Sequence, residues 1–170
     1  MSTIISILKS PAIKAGVLAL VLAGCAAKPK IPDNANGLGL NNNNNGVAVG
    51  TPQDFTVNVG DRVFFTTDST SLTPEGQQTL NGQAAWLIRY PNYPITLEGH
   101  ADERGTREYN IALGARRAAA ARDYLVSRGV PRSRIRTISF GKERPVAVCN
   151  DISCWSQNRR AVTLLTAPTG

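Results

Sequence analysis

The sequence predicts an α/β domain in which four strands and two helices follow the order βαβαββ, with both helices on one face of the sheet. Short segments rich in β-branched and aromatic residues alternate with two segments whose apolar residues recur at helical spacing. Each predicted helix is followed by a proline or a glycine, the residues that commonly end helices. The region that contains these elements, about 110 residues long, is large enough for a core of its own.

The first strand is predicted at residues 62–66, where strand-forming side chains are concentrated. The first helix begins after Thr73, because Thr73 can cap its amino end and Pro74 suits its first turn. Pro91 ends this helix. The apolar residues that follow predict the second strand at residues 94–99.

The second helix is predicted over residues 107–128, and Gly129 ends it. The third and fourth strands are predicted at residues 135–140 and 161–166. Two strand–helix–strand units in succession predict parallel pairing with right-handed crossovers. That connection places both helices on the same side of the sheet.

The amino terminus has the layout of a secretory signal. Two lysines precede a short apolar stretch at residues 15–22, and a pair of small residues stands directly before Cys25. This order resembles the lipobox of bacterial lipoproteins, in which the cysteine is acylated and becomes the first residue of the mature chain. We therefore expect removal of residues 1–24 and a lipid anchor on Cys25. Ala26, in place of the aspartate that retains many lipoproteins in the inner membrane, favours the periplasmic face of the outer membrane.

Residues 25–52 are predicted to form a flexible tether between the lipid and the domain. The segment contains five consecutive asparagines at 41–45 and almost no large apolar side chain, so it cannot bury enough surface to order itself. A flexible coil of about 27 residues has a root-mean-square reach of roughly 30 Å. The domain is then expected to occupy residues 53–170.

The composition limits the classes of function. Of 170 residues, 42% are hydrophobic and 18% are charged, and the formal net charge is +7, which suits one globular domain with polar appended segments. A positive balance is compatible with nucleic acid, but the arginines are scattered and the chain carries a predicted secretory signal. We therefore expect no nucleic-acid partner.

Two further cysteines, Cys149 and Cys154, have four residues between them in a polar segment. In an oxidising compartment a disulfide between them is the simplest interpretation. Closing so short a loop contributes only about 2 kcal/mol in the entropic model, so the bond is expected to fix the loop and not the whole domain. No second cysteine pair or histidine lies nearby to favour a metal site.

An acid and a base, Asp102 and Arg117, are the strongest candidates for a binding site. Asp102 should leave the sheet at the carboxyl end of the second strand, the edge at which α/β sheets usually receive ligands. Arg117 should lie about three turns into the second helix, and helical side chains lean toward the amino end. The two charges are therefore predicted to face each other across a gap that fits a zwitterion.

This stretch resembles the peptidoglycan-binding motif of the OmpA-like family, and most closely that of its lipoprotein branch. In the family pattern an acid after the second strand is followed by an asparagine, a leucine and an arginine. The matching residues are Asp102, Asn110, Leu113 and Arg117. Further matches lie near the last strand pair, at Gly141, Lys142, Pro145 and residues 158–161. The resemblance covers roughly residues 60–166.

The resemblance implies a mixed four-stranded sheet in an α+β sandwich, and a ligand, the meso-diaminopimelate of the peptidoglycan stem peptide. It implies that Asp102 binds the ligand's ammonium and that Arg117 binds its carboxylate through two parallel hydrogen bonds. Asp68 would help to bind the ammonium, although Thr67 replaces the aromatic residue that often precedes this acid in the family. Leu113 would pack against the ligand's methylene chain or against the core, and both interpretations stay open.

The resemblance also implies a protein partner, the periplasmic TolB-like β-propeller protein of the Tol system, whose surface overlaps the wall-binding site. It implies a noncovalent link between the outer membrane and the cell wall that supports cell division. No metal or cofactor is expected, because the chain has one histidine, His100, and neither a G-x-S-x-G nor a phosphate-loop pattern. The alternative function is a lipid-anchored peptidoglycan hydrolase.

Overall fold

A computed structural model of the protein describes residues 46–166. The predicted signal at residues 1–24, the lipidated Cys25 and residues 25–45 of the predicted tether lie outside these residues, so the predicted domain boundaries stay predictions. In the described part of the chain, no helix combines the length and the apolar character needed to cross a lipid bilayer.

The predicted fold class is confirmed, since all four predicted strands and both predicted helices are present. The strands are β1 (Arg62–Phe64), β2 (Ile95–His100), β3 (Ile135–Gly141) and β4 (Arg160–Leu165). The helices are α1 (Pro52–Asp54), α2 (Pro74–Arg89), α3 (Arg107–Ser127) and α4 (Ile152–Asn158). A π-helical turn (Phe55–Val59) follows α1, and a 3-10 turn (Arg132–Arg134) precedes β3. The sequence predicts neither α1 nor α4.

Both long helices begin at threonine caps. The hydroxyl oxygen of Thr73 accepts a hydrogen bond from the backbone N–H of Gly76 at 3.1 Å, and that of Thr106 accepts one from Tyr109 at 3.2 Å. Each bond satisfies an N–H group that no carbonyl of its own helix can reach. The cap at Thr106 fixes the point at which the loop after β2 turns into α3.

The sheet has the order β1-β4-β2-β3 and is mixed. The strands β2 and β3 pair in parallel, as their strand–helix–strand connection predicts, and β4 is antiparallel to both of its neighbours. The predicted parallel pairing of β1 with β2 is wrong, because the last strand lies between them. In that position β4 supplies backbone hydrogen bonds to both strands, so only β1 and β3 are left as edges.

The core lies between one face of the sheet and the two long helices, α2 and α3. Its larger buried apolar side chains come from the π-helical turn, from the strands and the residue after β1, and from these two helices: Phe55, Val63, Phe65, Leu80, Trp86, Leu87, Ile95, Leu97, Leu125 and Ile135. Two alanines of α3, Ala118 and Ala121, and Ala161 of β4 also belong to the cluster. Small residues on α3 let this helix lie close to the strands.

The closest approach of α3 to β2 occurs at two glycines. A Cβ atom on Gly99 would lie 1.8 Å from the carbonyl oxygen of Gly114, and one on Gly114 would lie 2.4 Å from Oγ of Ser139. Neither position can carry a side chain without movement of the backbone or of Ser139. The contact brings the middle of α3, which carries Arg117, against the carboxyl end of β2.

The segment between β3 and β4 is fixed by its own local bonds. The predicted disulfide between Cys149 and Cys154 is confirmed and joins the loop to α4. The carboxylate of Asp151 accepts a hydrogen bond from the N–H of Ser153 and caps this helix. The amide of Asn158 then accepts from the N–H groups of residues 146 and 147 and donates to the carbonyl oxygen of Ala147. These bonds fix α4 to the loop that precedes it.

We expect Gly114→Ala to lower the free energy of unfolding by about 1–3 kcal/mol, because its methyl group would overlap the backbone of β2 and Ser139. Urea denaturation measures this change. The matched control is Gly82→Ala in α2, where the added Cβ would meet only Val59 Cγ1 at 3.5 Å. The control substitution should raise the free energy of unfolding by roughly 0.5–1 kcal/mol, the usual effect of replacing glycine by alanine inside a helix. Equal effects of the two substitutions would contradict the close packing of α3 on β2.

Candidate functional site

A cavity of about 320 Å³ lies where β2 ends and α3 begins. The residues that line it combine acids, bases and one aliphatic side chain: Thr67, Asp68, Asp102, Arg104, Gly105, Tyr109, Asn110, Leu113 and Arg117. All four residues predicted to contact a ligand, Asp68, Asp102, Leu113 and Arg117, are among them. The fold therefore brings the predicted site together, and the roles of these residues toward a ligand stay a prediction.

Asp102 is buried at one wall of the cavity and is already paired with two arginines. Its Oδ1 accepts hydrogen bonds from Arg104 Nε at 3.0 Å and from the backbone N of Arg104 at 3.2 Å. Its Oδ2 accepts from Arg104 Nη2 at 2.7 Å and from Arg159 Nη1 at 3.4 Å. A carboxylate has about four acceptor positions, so these bonds occupy its whole capacity. A ligand ammonium can therefore reach Asp102 only by replacing one of them.

The two arginines differ in their freedom to move. Arg159 is buried and its Nε donates to the carbonyl oxygen of Phe65 at 3.0 Å. The side chain of Arg104 is 40% exposed at the rim of the cavity. Burial alone would raise the pKa of Asp102, but the hydrogen bonds and positive charge of Arg104, with Arg159, lower it below its usual value. Asp102 is therefore ionised at neutral pH, and Arg104 is the partner that can leave it.

Arg117 is fully buried, at 0% exposure, beneath the cavity. Its three nitrogens donate to backbone carbonyls: Nε to Ser69 at 2.9 Å, Nη1 to His100 at 2.9 Å and Nη2 to Thr66 at 3.1 Å. Its guanidinium also lies over the ring of Phe65, 5.2 Å from the centroid. One side chain of α3 thus ties the turn after β1 to the end of β2.

Arg117 keeps its charge in this buried position. Burial lowers its pKa to about 10, the nearby positive charge of Arg159 acts in the same direction, and Asp102 and Asp68 oppose the shift. A guanidinium has five N–H groups, more than the three carbonyls use, so donors remain where Arg117 lines the cavity. Solvent does not reach the guanidinium of Arg117. A ligand carboxylate can therefore contact it only after side chains at the rim move.

Tyr109 and Asp68 close the opposite side of the rim. The hydroxyl of Tyr109, on α3, donates to Oδ1 of Asp68, and this bond raises the pKa of the tyrosine. Asp68 has a φ of 55°, in the left-handed region that non-glycine residues seldom adopt. Within residues 46–166 its second carboxylate oxygen accepts no hydrogen bond, so it can take a cation without losing a partner. Both side chains are exposed and can move.

Leu113 is buried and lines the cavity, but it lies outside the main core cluster. Its position fits contact with an apolar part of a ligand. The sequence left two interpretations equally open, contact with a ligand and contact with the core. In the structure the side chain of Leu113 lies between the cavity and the core.

Sequence reasoning missed three side chains of this site: Arg104, Tyr109 and Arg159. Arg104 stands two residues after Asp102, and Arg159 belongs to the segment 158–161 that carries part of the family resemblance. Their role in neutralising Asp102 depends on how the loop after β2 and the start of β4 meet in space. Tyr109 directly precedes Asn110 of the motif, and no spacing in the sequence pairs it with Asp68.

His100 lies next to the site in the chain but its ring is directed elsewhere. It is buried, stacks on Phe140, and has Nε2 3.3 Å from a carboxylate oxygen of Glu98. Burial lowers its pKa to about 4, and the positive charges of Arg160 and Arg144 act in the same direction. His100 is therefore neutral at physiological pH. Among the described residues, no three His, Cys, Asp or Glu side chains come together to hold a metal ion.

A larger cavity, of about 480 Å³, runs along β1 and the first turns of α2. Its lining is mostly apolar, with Val63, Phe64 and Phe65 prominent. Its charged lining residues are Arg62, Glu75 and Arg159, so it has one acid where the cavity at the end of β2 has two. Charge recognition therefore favours the smaller cavity as the binding site.

Known proteins share the sequence pattern and the fold of this domain. The OmpA family pattern matches residues 64–159. A peptidoglycan-associated lipoprotein of Rhizobium meliloti is 67% identical over 163 residues, which cover 94% of this chain and 90% of the relative. The crystal structure of the peptidoglycan-associated lipoprotein from Burkholderia pseudomallei matches with a TM-score of 0.64 and 38% identity, over 68% of this chain and 100% of that chain.

A more distant structure shares the fold alone. The C-terminal domain of Helicobacter pylori MotB matches with a TM-score of 0.58 at 18% identity, over 63% of this chain and 84% of that chain. The mixed sheet with helices on one face is therefore common to proteins whose sequences have diverged widely.

Arg117→Ala should lower the free energy of unfolding by about 3 kcal/mol or more, because three carbonyl acceptors lose their donor at once. Arg116→Ala is the matched control, since its exposed side chain is the neighbour on the same helix. The control should change stability by less than about 0.5 kcal/mol. Urea denaturation of both variants gives the comparison, and equal stabilities would show that Arg117 does not support the fold.

The low pKa of His100 predicts a pH-dependent stability. The unfolded chain takes up a proton near pH 6.5, whereas folded His100 does so only near pH 4, so the free energy of unfolding falls as the pH drops through this window. Between pH 7.5 and pH 5 we expect a loss of about 2 kcal/mol. The His100→Gln variant should lose much less over the same interval. Parallel pH profiles of the two proteins would contradict a buried neutral histidine.

Proposed function

Because this chain belongs to the OmpA family and, within it, to the peptidoglycan-associated lipoproteins, we propose that its domain binds peptidoglycan noncovalently and recognises meso-diaminopimelate. The observation that carries this proposal is the cavity of about 320 Å³ in which two acids and two arginines meet. The free end of diaminopimelate carries an ammonium and a carboxylate on the same carbon. Opposite charges at close range in one small cavity suit such a group.

In the proposed complex, the ligand ammonium lies between Asp68 and Asp102. The unpaired oxygen of Asp68 takes one of its N–H groups, and Asp102 takes another when Arg104 leaves it. The ligand carboxylate then accepts from Arg117 and from the released Arg104. Asp102 exchanges Arg104 for the ligand ammonium, and Arg104 exchanges Asp102 for the ligand carboxylate. Each buried charge therefore keeps a partner of opposite sign while water leaves the site.

The methylene chain of diaminopimelate lies against Leu113 in this arrangement. Leu113 is the aliphatic side chain of the lining, and it stands one turn before Arg117 on the same face of α3. An apolar contact beside the charged ones fixes the distance between the headgroup and the rest of the stem peptide.

The proposal assigns no catalysis to this site. A general acid for glycoside hydrolysis needs a raised pKa, whereas the arginines lower the pKa of Asp102. A lipid-anchored hydrolase is therefore the weaker alternative.

The amino-terminal part of the chain completes the proposed function. Removal of residues 1–24, lipidation of Cys25 and a tether at 25–52 would place the domain on the periplasmic face of the outer membrane, within reach of the wall. The related chain from Rhizobium meliloti is named a lipoprotein, which supports this assignment. In this position the protein links the outer membrane to peptidoglycan, takes part in the Tol–Pal system through a TolB-like β-propeller partner, and supports envelope integrity and cell division.

Calorimetric titration of the chain from Ala26 onward with a diaminopimelate tripeptide tests the ligand. We expect saturable binding. The lysine counterpart should bind about 30-fold more weakly or worse, because lysine lacks the side-chain carboxylate that Arg117 would hold, a loss of about 2–5 kcal/mol. Equal affinity for the two tripeptides would contradict the proposed clamp.

Asp102→Asn should weaken binding of the diaminopimelate tripeptide by about tenfold or more, because the amide removes the negative charge that faces the ammonium. Asp123→Asn is the matched control, since Asp123 is an exposed acid near the far end of α3. Incubation of the same proteins with wall fragments separates binding from turnover. Time-dependent release of soluble products would support the hydrolase instead.

A further inference from the structure

Trp155, on α4, contacts the site without lining its cavity. The guanidinium carbon of Arg104 lies 4.2 Å from the centroid of the indole ring, and indole Nε1 donates to Oε1 of Glu103 at 3.0 Å. Both partners belong to the loop between Asp102 and the start of α3. The tryptophan therefore touches the one arginine of the site that is free to move.

The support behind Trp155 is rigid. The disulfide from Cys149 ends at Cys154, the residue directly before the tryptophan, and Asn158 fixes the other end of α4 to the preceding loop. The loop after β2 is also held from a second direction, because Lys142 Nζ donates to the carbonyl oxygens of residues 103 and 105 at 3.1 and 2.7 Å. The backbone of the loop thus has its own anchor, and Trp155 acts mainly on side chains.

Stacking on an aromatic face restricts a guanidinium in one direction only. The attraction depends on the distance of the cation from the ring face, and a planar guanidinium that slides or rotates parallel to that face keeps most of it. Arg104 can therefore turn its N–H groups from Asp102 toward another acceptor at the rim while it stays on the indole. Without the ring, the exposed side chain would lose this guide and would have to be ordered by the ligand alone.

We propose that Trp155 is a positioning residue for ligand recognition: it holds Arg104 at the rim of the cavity and guides its transfer from Asp102 to the carboxylate of the bound diaminopimelate. This inference rests on the proposed function. The disulfide contributes by fixing α4, so the cysteine pair acts on ligand affinity through Trp155 and Arg104.

The inference predicts a larger effect on one ligand than on the other. The ammonium of a tripeptide that ends in lysine also displaces Arg104 from Asp102, but lysine has no side-chain carboxylate to receive Arg104, so its binding depends less on where Arg104 is held. Loss of the indole should therefore reduce affinity for the diaminopimelate tripeptide and reduce the preference over lysine. A merely structural tryptophan would affect both ligands equally.

The test compares the unchanged protein with Trp155→Leu and Trp155→Phe by titration with both tripeptides. Trp155→Leu should bind the diaminopimelate tripeptide about five- to tenfold more weakly, and its loss of affinity for the lysine tripeptide should be clearly smaller. Trp155→Phe retains an aromatic face and should stay within about twofold of the unchanged protein. The double variant Cys149→Ser with Cys154→Ser should shift in the same direction as Trp155→Leu. Thermal melts of all variants show whether each is folded.

A spectroscopic measurement on the unchanged protein keeps the test independent of folding of the variants. The chain has two tryptophans, so its nitrogen–proton correlation spectrum contains two indole signals, and Trp155→Phe identifies the one from Trp155. Saturation with the diaminopimelate tripeptide should move the Trp155 signal and leave that of Trp86, which is buried in the core, in place.

Undiminished affinity of folded Trp155→Leu, an equal loss for both tripeptides, or a stationary Trp155 signal at saturation would each overturn the inference while the proposed function stands. Failure of the unchanged protein to bind the diaminopimelate tripeptide would overturn the proposed function and this inference together.

Discussion

The burial of Arg117 among backbone carbonyls is the interaction on which the site depends. A cation removed from water is tolerated only where acceptors surround it, and here the turn after β1 and the end of β2 supply three. These segments meet because Gly99 and Gly114 let α3 lie directly on β2. The guanidinium of Arg117 therefore fixes the floor of the cavity, and its remaining N–H groups can donate to a ligand there.

The charges above this floor are arranged for exchange. Asp102 is saturated by Arg104 and Arg159, of which only Arg104 is exposed enough to leave. When a ligand ammonium replaces Arg104 at Asp102, the carboxylate keeps a cation as its partner. The ammonium can therefore enter without leaving a buried charge unpaired. The cost of opening the site is then restricted to side chains at the rim, and the backbone can stay fixed.

The sequence could predict the order of strands and helices, because apolar spacing, caps and helix-ending residues act locally. It could not predict that β4 lies between β1 and β2, since strand pairing depends on contacts distant in the chain. The motif residues Asp102 and Arg117 both line the cavity, and their contact with a ligand stays a prediction. The burial of Arg117 and the saturation of Asp102 could not be foreseen, because they depend on where the turn after β1 and the start of β4 come to lie. The short polar helix α4 has no periodic pattern, so the contact of Trp155 with Arg104 had no signal in the sequence.

The most direct test of this account is a crystal structure of the domain with the diaminopimelate tripeptide. The account predicts the ligand carboxylate within hydrogen-bond distance of Arg117 and Arg104, and the ammonium against Asp68 and Asp102, with the Arg104–Asp102 pair broken. A ligand seated in the apolar cavity along β1, or one that leaves Arg104 on Asp102 and never reaches Arg117, would contradict it.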